Sequence, residues 1–271
     1  MIPQDPSPQY PYPQQGSEQP QAPYPPQMPE PLPNQGMPQE PSVYVPPPYG
    51  SGDGAQPPTI APAVEVHLTD GFNYAWLKLR QNLGTLILVG LTYLGAAAAL
   101  SLIFVGMFLA SRSAGAAAFA IFVLLVVVFL FSAITQANVM TGILKLVAGD
   151  PVEYRDFFAF QYIGNVLLAS LLIALSSAFL SFTVVAPVVI SFFTLFTVPL
   201  IVDKGYGAWD AISGSIKIVW TNVATIIMFG IAAAIATYAG ALFFGLGLLL
   251  AFPVIVITQV WLYKKLIGEQ L

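Results

Sequence analysis

The stretch that decides the fold is residues 115–144, which read GAAAFAIFVLLVVVFLFSAITQANVMTGIL without one charged side chain. A transmembrane helix needs about 20 consecutive, predominantly apolar residues. Between residues 83 and 263 the chain has ten charged side chains, and nine of them fall in the windows 145–156 and 203–217. A soluble domain carries roughly 25% charged residues, whereas this chain has 8%. The composition therefore predicts an all-α polytopic membrane protein.

Six apolar segments predict six transmembrane helices in three hairpins. Very short turns near Thr183 and Gly245 join the helices of the second and third hairpins. From Val64 to the first segment, apolar residues recur at helical spacing among polar ones, which predicts an amphipathic helix in the membrane interface. The predicted spans are residues 83–110, 115–144, 164–183, 185–202, 222–243 and 245–263.

The N-terminal residues 1–63 have a different composition. They hold 20 of the 24 prolines, many glutamines and five of the tyrosines. Such a segment has too few aliphatic residues to offset the entropy lost on ordering. We expect a disordered, proline-rich, low-complexity cytoplasmic tail that acts as a solvated tether, followed by a six-helix transmembrane domain over residues 64–271.

Basic residues predict how the chain is oriented, because cytoplasmic loops carry an excess of Lys and Arg. With the N-terminus inside, Arg112 is the one basic residue on the outer side. The other eight lie on the inner side: Lys78, Arg80, Lys145, Arg155, Lys204, Lys217, Lys264 and Lys265. This bias supports an even number of spans. It predicts a multi-pass protein of a bacterial plasma membrane with both termini cytoplasmic.

An internal repeat is predicted from polar residues before the first, third and fifth spans. At each place an acidic residue precedes an asparagine by 12 positions, in the pairs Asp70/Asn82, Glu153/Asn165 and Asp210/Asn222. We expect each asparagine to be the N-cap of a helix that leaves the interface. We expect each acid to lie near the start of an amphipathic helix, where the helix dipole favours it.

The first and third units of this repeat match further at an offset of 140 residues. Between residues 70 and 90, identical residues recur at five positions, and the apolar stripe of the amphipathic helix recurs with them, for example at Trp76 and Ile216. The stripe is expected to face either the lipid boundary or the helix bundle. The prediction of the middle unit depends on Glu153 and Asn165 alone.

No catalytic, cofactor-binding or metal-binding residue is predicted, and we expect no enzyme. The single histidine, His67, lies outside the spans and is read as structural, and cysteine is absent. No cluster has metal-ligand spacing, and the predicted spans contain no ionisable residue that could mark a proton or ion path.

The polar residues and the prolines within the spans each have two possible structural roles. Gln136, Asn138 and Gln259 could line a small polar cavity, but interhelical hydrogen bonds are the favoured reading. The prolines could kink the fourth and sixth spans, although packing is the favoured role. These prolines are Pro187, Pro199 and Pro253.

Residues 198–205 read VPLIVDKG and are followed by Ala208, Ala211, Ile212 and Ser215. This stretch resembles a broad superfamily of bacterial six-span proteins that includes the membrane domain of glycerophosphoryl diester phosphodiesterase and YciC-like proteins. The resemblance implies a proline-containing span that ends in an acidic, glycine-bearing loop, then an amphipathic helix leading to the next hairpin. The catalytic domain of the phosphodiesterase has no counterpart here, so the resemblance does not imply its activity.

Two functions are compatible with these features. The favoured one is a non-enzymatic accessory or scaffolding subunit of a membrane assembly, because no charge is buried in the spans. The alternative is a transporter or lipid-handling protein with a cavity among the repeated hairpins. The expected partners are membrane lipids and other membrane or cytoplasmic proteins that contact the tail, and nucleic acid is not expected to bind.

Overall fold

In the computed structural model, residues 66–183, 185–242 and 247–269 are described, and helices dominate these ranges. The predicted tail, residues 1–63, lies outside them, so its disorder stays a prediction. The helices are α1 (Leu68–Gln81), α2 (Leu83–Ala110), α3 (Ala114–Ala148), α4 (Ile163–Phe179), α5 (Val185–Phe193), α6 (Thr197–Lys204), α7 (Ala208–Thr221), α8 (Val223–Leu242) and α9 (Leu248–Leu266), with a short 3-10 helix at Tyr154–Phe158 between α3 and α4.

The prediction of several membrane-crossing helices is confirmed. Within the described ranges, five segments are long and apolar enough to cross a membrane: Leu83–Ala110, Ala114–Ala148, Val185–Lys204, Val223–Leu242 and Leu248–Leu266. Helix α4 is apolar but has 17 residues, which gives about 26 Å of helix against a hydrocarbon core of about 30 Å. The count of six spans therefore stays a prediction.

The first and third units of the predicted repeat have the same local structure. Helices α1 and α7 are both 14 residues long and start 140 positions apart (208 − 68 = 140), as do α2 and α8. The linking asparagines have nearly the same backbone angles, φ −122° and ψ 24° at Asn82 and φ −125° and ψ 31° at Asn222. Equivalent residues therefore make equivalent turns.

The predicted capping role of these asparagines is wrong in detail. Asn82 makes no side-chain cap bond to α2. Instead, its Nδ2 donates to the carbonyl of Lys78 at 3.1 Å, and Asn222 Nδ2 donates to the carbonyl of Ile218 at 3.0 Å. The reason is that one residue separates the two helices, so its backbone does not adopt the extended conformation typical of an N-cap. Each asparagine side chain therefore caps the C-terminal end of the amphipathic helix that precedes it.

The middle unit does not share this geometry. Glu153 is the N-cap of the five-residue 3-10 helix, which occupies the place of a 14-residue amphipathic helix. Asn165 is the third residue of α4 rather than the residue before it, and its Nδ2 donates to the carbonyl of Tyr206 at 3.4 Å. Equal spacing of acid and asparagine therefore did not predict equal structure here.

The short helices α1 and α7 and the 3-10 helix each pack on a helix outside the pair that follows them. Helix α7 packs mainly on α6 and the 3-10 helix on α3, while α1 makes its largest contact with α9 at the other end of the chain. The 3-10 helix and α7 thus each lie on the long or broken helix that precedes them in the chain, whereas α1 lies on α9, the last helix. Tyr74 adds a hydrogen bond from α1 to the carbonyl of Val147 in α3 at 2.9 Å.

The buried face of α1 and α7 is displaced from the predicted apolar stripe. The buried residues of α1 are Gly71, Ala75 and Leu79, and α7 buries their equivalents Ala211, Ser215 and Val219 together with Ala208, Gly214 and Ile218. Trp76 is 48% exposed and Ile216 is 40% exposed. Of the two orientations left open by the sequence, these residues therefore adopt the one that faces away from the bundle.

We expect opposite labelling at the two ends of the bundle. The exposed residues Ser113, between α2 and α3, and Lys217, on α7, lie on opposite sides if the basic residues are cytoplasmic. In intact cells an impermeant maleimide should label Ser113→Cys but not Lys217→Cys, and the chain has no cysteine to interfere. Labelling of Lys217→Cys before permeabilisation would overturn this orientation.

The α1–α9 contact can be tested with two matched glycine substitutions. A Cβ at Gly71 would lie 2.7 Å from Cε3 of Trp261, whereas one at Gly84 has no neighbour within 4 Å. Gly→Ala within a helix is worth about 0.5–1 kcal/mol, but forced overpacking costs about 1–3 kcal/mol. In detergent, Gly84→Ala should keep or raise the midpoint of thermal unfolding and Gly71→Ala should lower it. An equal rise in both would mean that α1 does not pack on α9.

Candidate functional site

One apolar segment, Val185–Lys204, is broken near its middle. Helix α5 ends at Phe193 and α6 begins at Thr197, whereas a single span was predicted over 185–202. The cause is Pro199, which has no N–H to donate to the carbonyl of Leu195 four residues earlier. A tight turn replaces the helix there, with the Thr197 N–H bonded to the Thr194 carbonyl at 3.1 Å.

Side chains from two other helices bond the backbone groups that the break exposes. The Ser215 hydroxyl donates to the carbonyl of Phe193 at 2.8 Å and accepts from the N–H of Phe196 at 3.0 Å. Gln259 Nε2 donates to the carbonyl of Leu195 at 2.8 Å. Irregular backbone at membrane depth is tolerated only where protein or a cavity surrounds it. Helices α7 and α9 therefore hold the break in place.

A cavity of about 530 Å³ opens at this break. It is surrounded by α3, α4, α5, α6 and α9. Its wall is mostly apolar but carries more hydroxyl and amide groups than that of the second cavity described below, so we call it the polar cavity. The residues that carry these groups include Ser132, Thr135, Gln136, Ser170, Thr197 and Gln259.

A second cavity of about 700 Å³ lies beside the first, between α2, α3, α8, α9 and the 3-10 helix. Its wall is mostly aliphatic and aromatic, so we call it the apolar cavity. The side chains of Thr135, Val139, Phe252 and Val256 line both cavities. Side chains rather than a whole helix therefore form the boundary between the two spaces.

Two buried hydroxyls in the wall of the polar cavity have no partner. Over residues 66–183, 185–242 and 247–269, the buried side-chain polar atoms without a hydrogen bond are Thr135 Oγ1 and Thr197 Oγ1. By contrast, the Thr194 hydroxyl in the same wall donates to the carbonyl of Ile190 at 2.8 Å. An unsatisfied buried hydroxyl costs about 1–3 kcal/mol. Both oxygen atoms are buried beneath the cavity surface rather than exposed on it.

The polar residues predicted within the spans divide between the two readings. Gln136 and Gln259 line the polar cavity, and Gln259 also bonds the turn between α5 and α6. Asn138 is 1% exposed and accepts from the N–H of Phe160 at 3.1 Å, so it links α3 to the segment before α4. Both amides therefore bond backbone between helices, which is close to the favoured prediction of interhelical bonds but not the same.

A charged cluster joins the ends of α6 and α9 on the side of the bundle where α1 and α7 lie. Asp203, whose side chain is 4% exposed, accepts from Lys264 Nζ at 2.7 Å and from the Tyr263 hydroxyl at 3.0 Å. Glu269 pairs with Lys264 at 2.6 Å and with Lys204. We call these five residues the α6–α9 cluster. The cluster joins α6, the second helix of the broken segment Val185–Lys204, to α9.

The electrostatics of the cluster favour the charged form of Glu269. Burial alone would raise the pKa of Glu269, but the hydrogen bonds from Lys204 and Lys264 outweigh it and hold the pKa below its usual value. The carboxylate therefore remains charged at neutral pH. Sequence reasoning placed Asp203 in a loop and missed this cluster, because its members lie about 60 residues apart in the chain.

The remaining predicted features occupy simple structural positions. His67 is exposed and is the N-cap residue of α1. Pro253 lies inside α9 and lines the apolar cavity, and Pro187 lies in the first turn of α5. In the described part of the chain, no group of three His, Cys, Asp or Glu side chains is placed to hold a metal ion.

Comparisons with known proteins give relatives without a described function. The chain is 28% identical over 223 residues to the uncharacterized protein Rv2560 of Mycobacterium tuberculosis, covering 74% of this chain and 69% of that protein. The same values hold for the uncharacterized protein Mb2590 of Mycobacterium bovis. No family model matches the chain and no solved structure matches it. The resemblance to the phosphodiesterase membrane domain therefore stays a prediction.

The α6–α9 cluster gives a stability prediction. Removing one partner of a buried ion pair costs about 3–5 kcal/mol because the other charge is left uncompensated. Lys264→Met should therefore lower the midpoint of thermal unfolding in detergent well below that of Lys265→Met, the neighbouring lysine, which lies over Trp261 instead. Equal midpoints for the two variants would mean that the cluster does not hold α6 to α9.

Proposed function

We propose that this chain is a non-enzymatic integral membrane protein that handles a lipid or another amphiphile. The observation that carries the proposal is the polar cavity at the break between α5 and α6, whose lining residues include Ser132, Gln136, Ser170 and Gln259. Discontinuous membrane helices typically form substrate sites near the middle of the bilayer. The alternative function predicted from the sequence is thus the one that this geometry favours.

The size and the paired character of the two cavities support an amphiphile. Ligand cavities in proteins have volumes of about 300–1,000 Å³, and both cavities fall within that range. One wall offers hydroxyl and amide groups and the other offers aliphatic and aromatic side chains. A molecule with a polar head and an apolar chain matches that pair better than a wholly polar solute does.

The way the break is held also supports a binding site. Three backbone groups of residues 193–196 are bonded by Ser215 and Gln259, so the local structure does not need a ligand to be stable. A preorganised site of this kind binds without the cost of ordering itself.

The proposal is tested by filling the polar cavity. Ala174 lines it, whereas Ala178, one helical turn further along α4, lies outside its wall, and both alanines are exposed. After purification from native membranes in mild detergent, mass spectrometry should find bound lipid in the wild type and in Ala178→Trp. Ala174→Trp should lose it. A wild type without bound lipid, or equal lipid in both variants, would contradict the proposal.

An accessory or scaffolding role is the second candidate. Trp209 is 72% exposed and Trp220 is 71% exposed on α7, and exposed tryptophans are enriched where proteins meet partners. In the same purification, a stoichiometric protein subunit together with an absence of lipid would favour this role. Trp209→Ala and Trp220→Ala should then release that subunit.

A further inference from the structure

We propose that α1 and the end of α9 form a binding site on the surface of the bundle for the head group of an anionic phospholipid, such as phosphatidylglycerol. This site is separate from the polar and apolar cavities and goes beyond the proposed function. Three observations carry it: the unpaired cations of α1 and α9, the aromatic rings beneath them, and the apolar side chains beside them.

The basic side chains divide into paired and unpaired ones. Four of the nine form ion pairs with carboxylates. The five without an ion pair in the described ranges are Lys78, Arg80, Arg112, Lys217 and Lys265. The first two lie in the last turn of α1 and the last one in the last turn of α9, and these two helices pack on each other. The acidic residue of α1, Asp70, lies in its first turn, about 12 Å along the helix axis from Lys78. Uncompensated positive charge is therefore concentrated where α1 and α9 end.

Each of these three cations lies over an aromatic ring. The distances to the ring centres are 5.6 Å from Lys78 Nζ to Tyr74, 6.0 Å from Arg80 Cζ to Trp76 and 6.0 Å from Lys265 Nζ to Trp261. Such a contact holds the cation by electrostatic attraction to the ring face, but it does not neutralise the charge. An ammonium has three N–H donors and a guanidinium has five, and phosphate oxygens are strong acceptors for them.

The helix pair that carries these groups is firmly packed. Tyr74 donates a hydrogen bond to the carbonyl of Val147 in α3 at 2.9 Å. Trp261 is buried and lies so close to α1 that a Cβ added at Gly71 would be 2.7 Å from its ring. The rings beneath two of the cations are therefore fixed before any ligand binds. A preorganised site of this kind binds without the cost of ordering itself.

The apolar side chains beside the cations favour a lipid over the acidic tail of the chain itself. Trp76 and Leu77 are both exposed on α1. In a membrane interface, such side chains lie at the acyl boundary while neighbouring cations reach the head groups. Residues 1–63 carry five carboxylates and no Lys or Arg, so they match the cations in charge. They hold few aliphatic residues to cover Trp76 and Leu77, whereas a phospholipid supplies a phosphate and acyl chains together.

The site is tested with two phospholipids that have identical acyl chains. The full-length protein in detergent is mixed with equal amounts of dioleoylphosphatidylglycerol and dioleoylphosphatidylcholine, and native mass spectrometry counts the bound molecules of each. We expect the wild type to retain phosphatidylglycerol over phosphatidylcholine by about tenfold or more. Arg80→Gln and Lys265→Gln should each lower this ratio about fivefold, which corresponds to about 1 kcal/mol for each basic residue.

Two other unpaired basic residues provide matched controls. Arg112 is exposed and follows α2, whereas α1 precedes that helix, and Lys217 is exposed on α7. Arg112→Gln and Lys217→Gln should leave the ratio nearly unchanged. Because none of the exchanged residues forms an ion pair in the described ranges, the midpoint of thermal unfolding should stay close to that of the wild type in all four variants.

Two results with these variants would overturn the site. One is equal retention of the two lipids by the wild type. The other is a fall of the ratio in Arg112→Gln or Lys217→Gln as large as that in Arg80→Gln, because the preference would then follow the total surface charge and not this helix pair.

The acidic tail is tested as an occupant by replacing its five carboxylates with amides in the full-length chain. The substitutions are Asp5→Asn, Glu18→Gln, Glu30→Gln, Glu40→Gln and Asp53→Asn. An unchanged ratio supports the lipid as the occupant. A marked rise in the retention of phosphatidylglycerol would show that the tail covers the cations, and it would overturn the proposal.

The polar cavity is tested separately from this site. Ala174→Trp should keep the preference for phosphatidylglycerol, and Arg80→Gln should keep the lipid that Ala174→Trp releases. Loss of the preference in Ala174→Trp would place the anionic lipid in the cavity, which would overturn the surface site and leave the proposed function intact. A preference that survives in Ala174→Trp, with no lipid released by that substitution, would overturn the proposed function alone.

Discussion

The arrangement depends on one constraint, which is that backbone polar groups within a bilayer must find partners inside the protein. Pro199 interrupts the backbone hydrogen bonding of the segment Val185–Lys204. Ser215 and Gln259 supply side-chain hydrogen bonds to the backbone groups that are left without helix partners. These side chains fix α7 and α9 against the break. The same contacts create the space beside it, because the chain at residues 194–196 no longer follows the course of a continuous helix.

The charged residues complete this arrangement at one end of the bundle. Asp203 and Lys264 join α6 to α9, while Lys145 in α3 pairs with Asp156 of the 3-10 helix at 2.9 Å. The outgoing helices α3, α6 and α9 are thus each tied near their last turns. The most buried side chains, such as Phe196, Leu200 and Tyr263, also lie on these segments, so polar ties and apolar packing coincide at this end.

The sequence predicted what depends on local composition. Apolar length located α2, α3, α8 and α9 to within a few residues, and an offset of 140 residues predicted that α1 and α7 would be equivalent. It could not predict that Asp203 meets Lys264, or that Ser215 bonds Phe196, because these contacts join segments whose packing is set by the whole fold. The division of residues 185–202 was also missed, since Pro199 permits a kink or a full break and the choice depends on Ser215 and Gln259.

The helices differ widely in length, and this has a consequence for the surrounding lipid. At 1.5 Å per residue, α2 and α3 are about 42 Å and 52 Å long and α4 is about 26 Å, from 28, 35 and 17 residues respectively. A flat bilayer of uniform thickness cannot match all three without tilt or protrusion. The first hairpin would have to lean or extend beyond the acyl chains, whereas α4, if it crosses the membrane, fits a thinner bilayer. Helices of such unequal length favour a lipid annulus whose thickness varies around the protein.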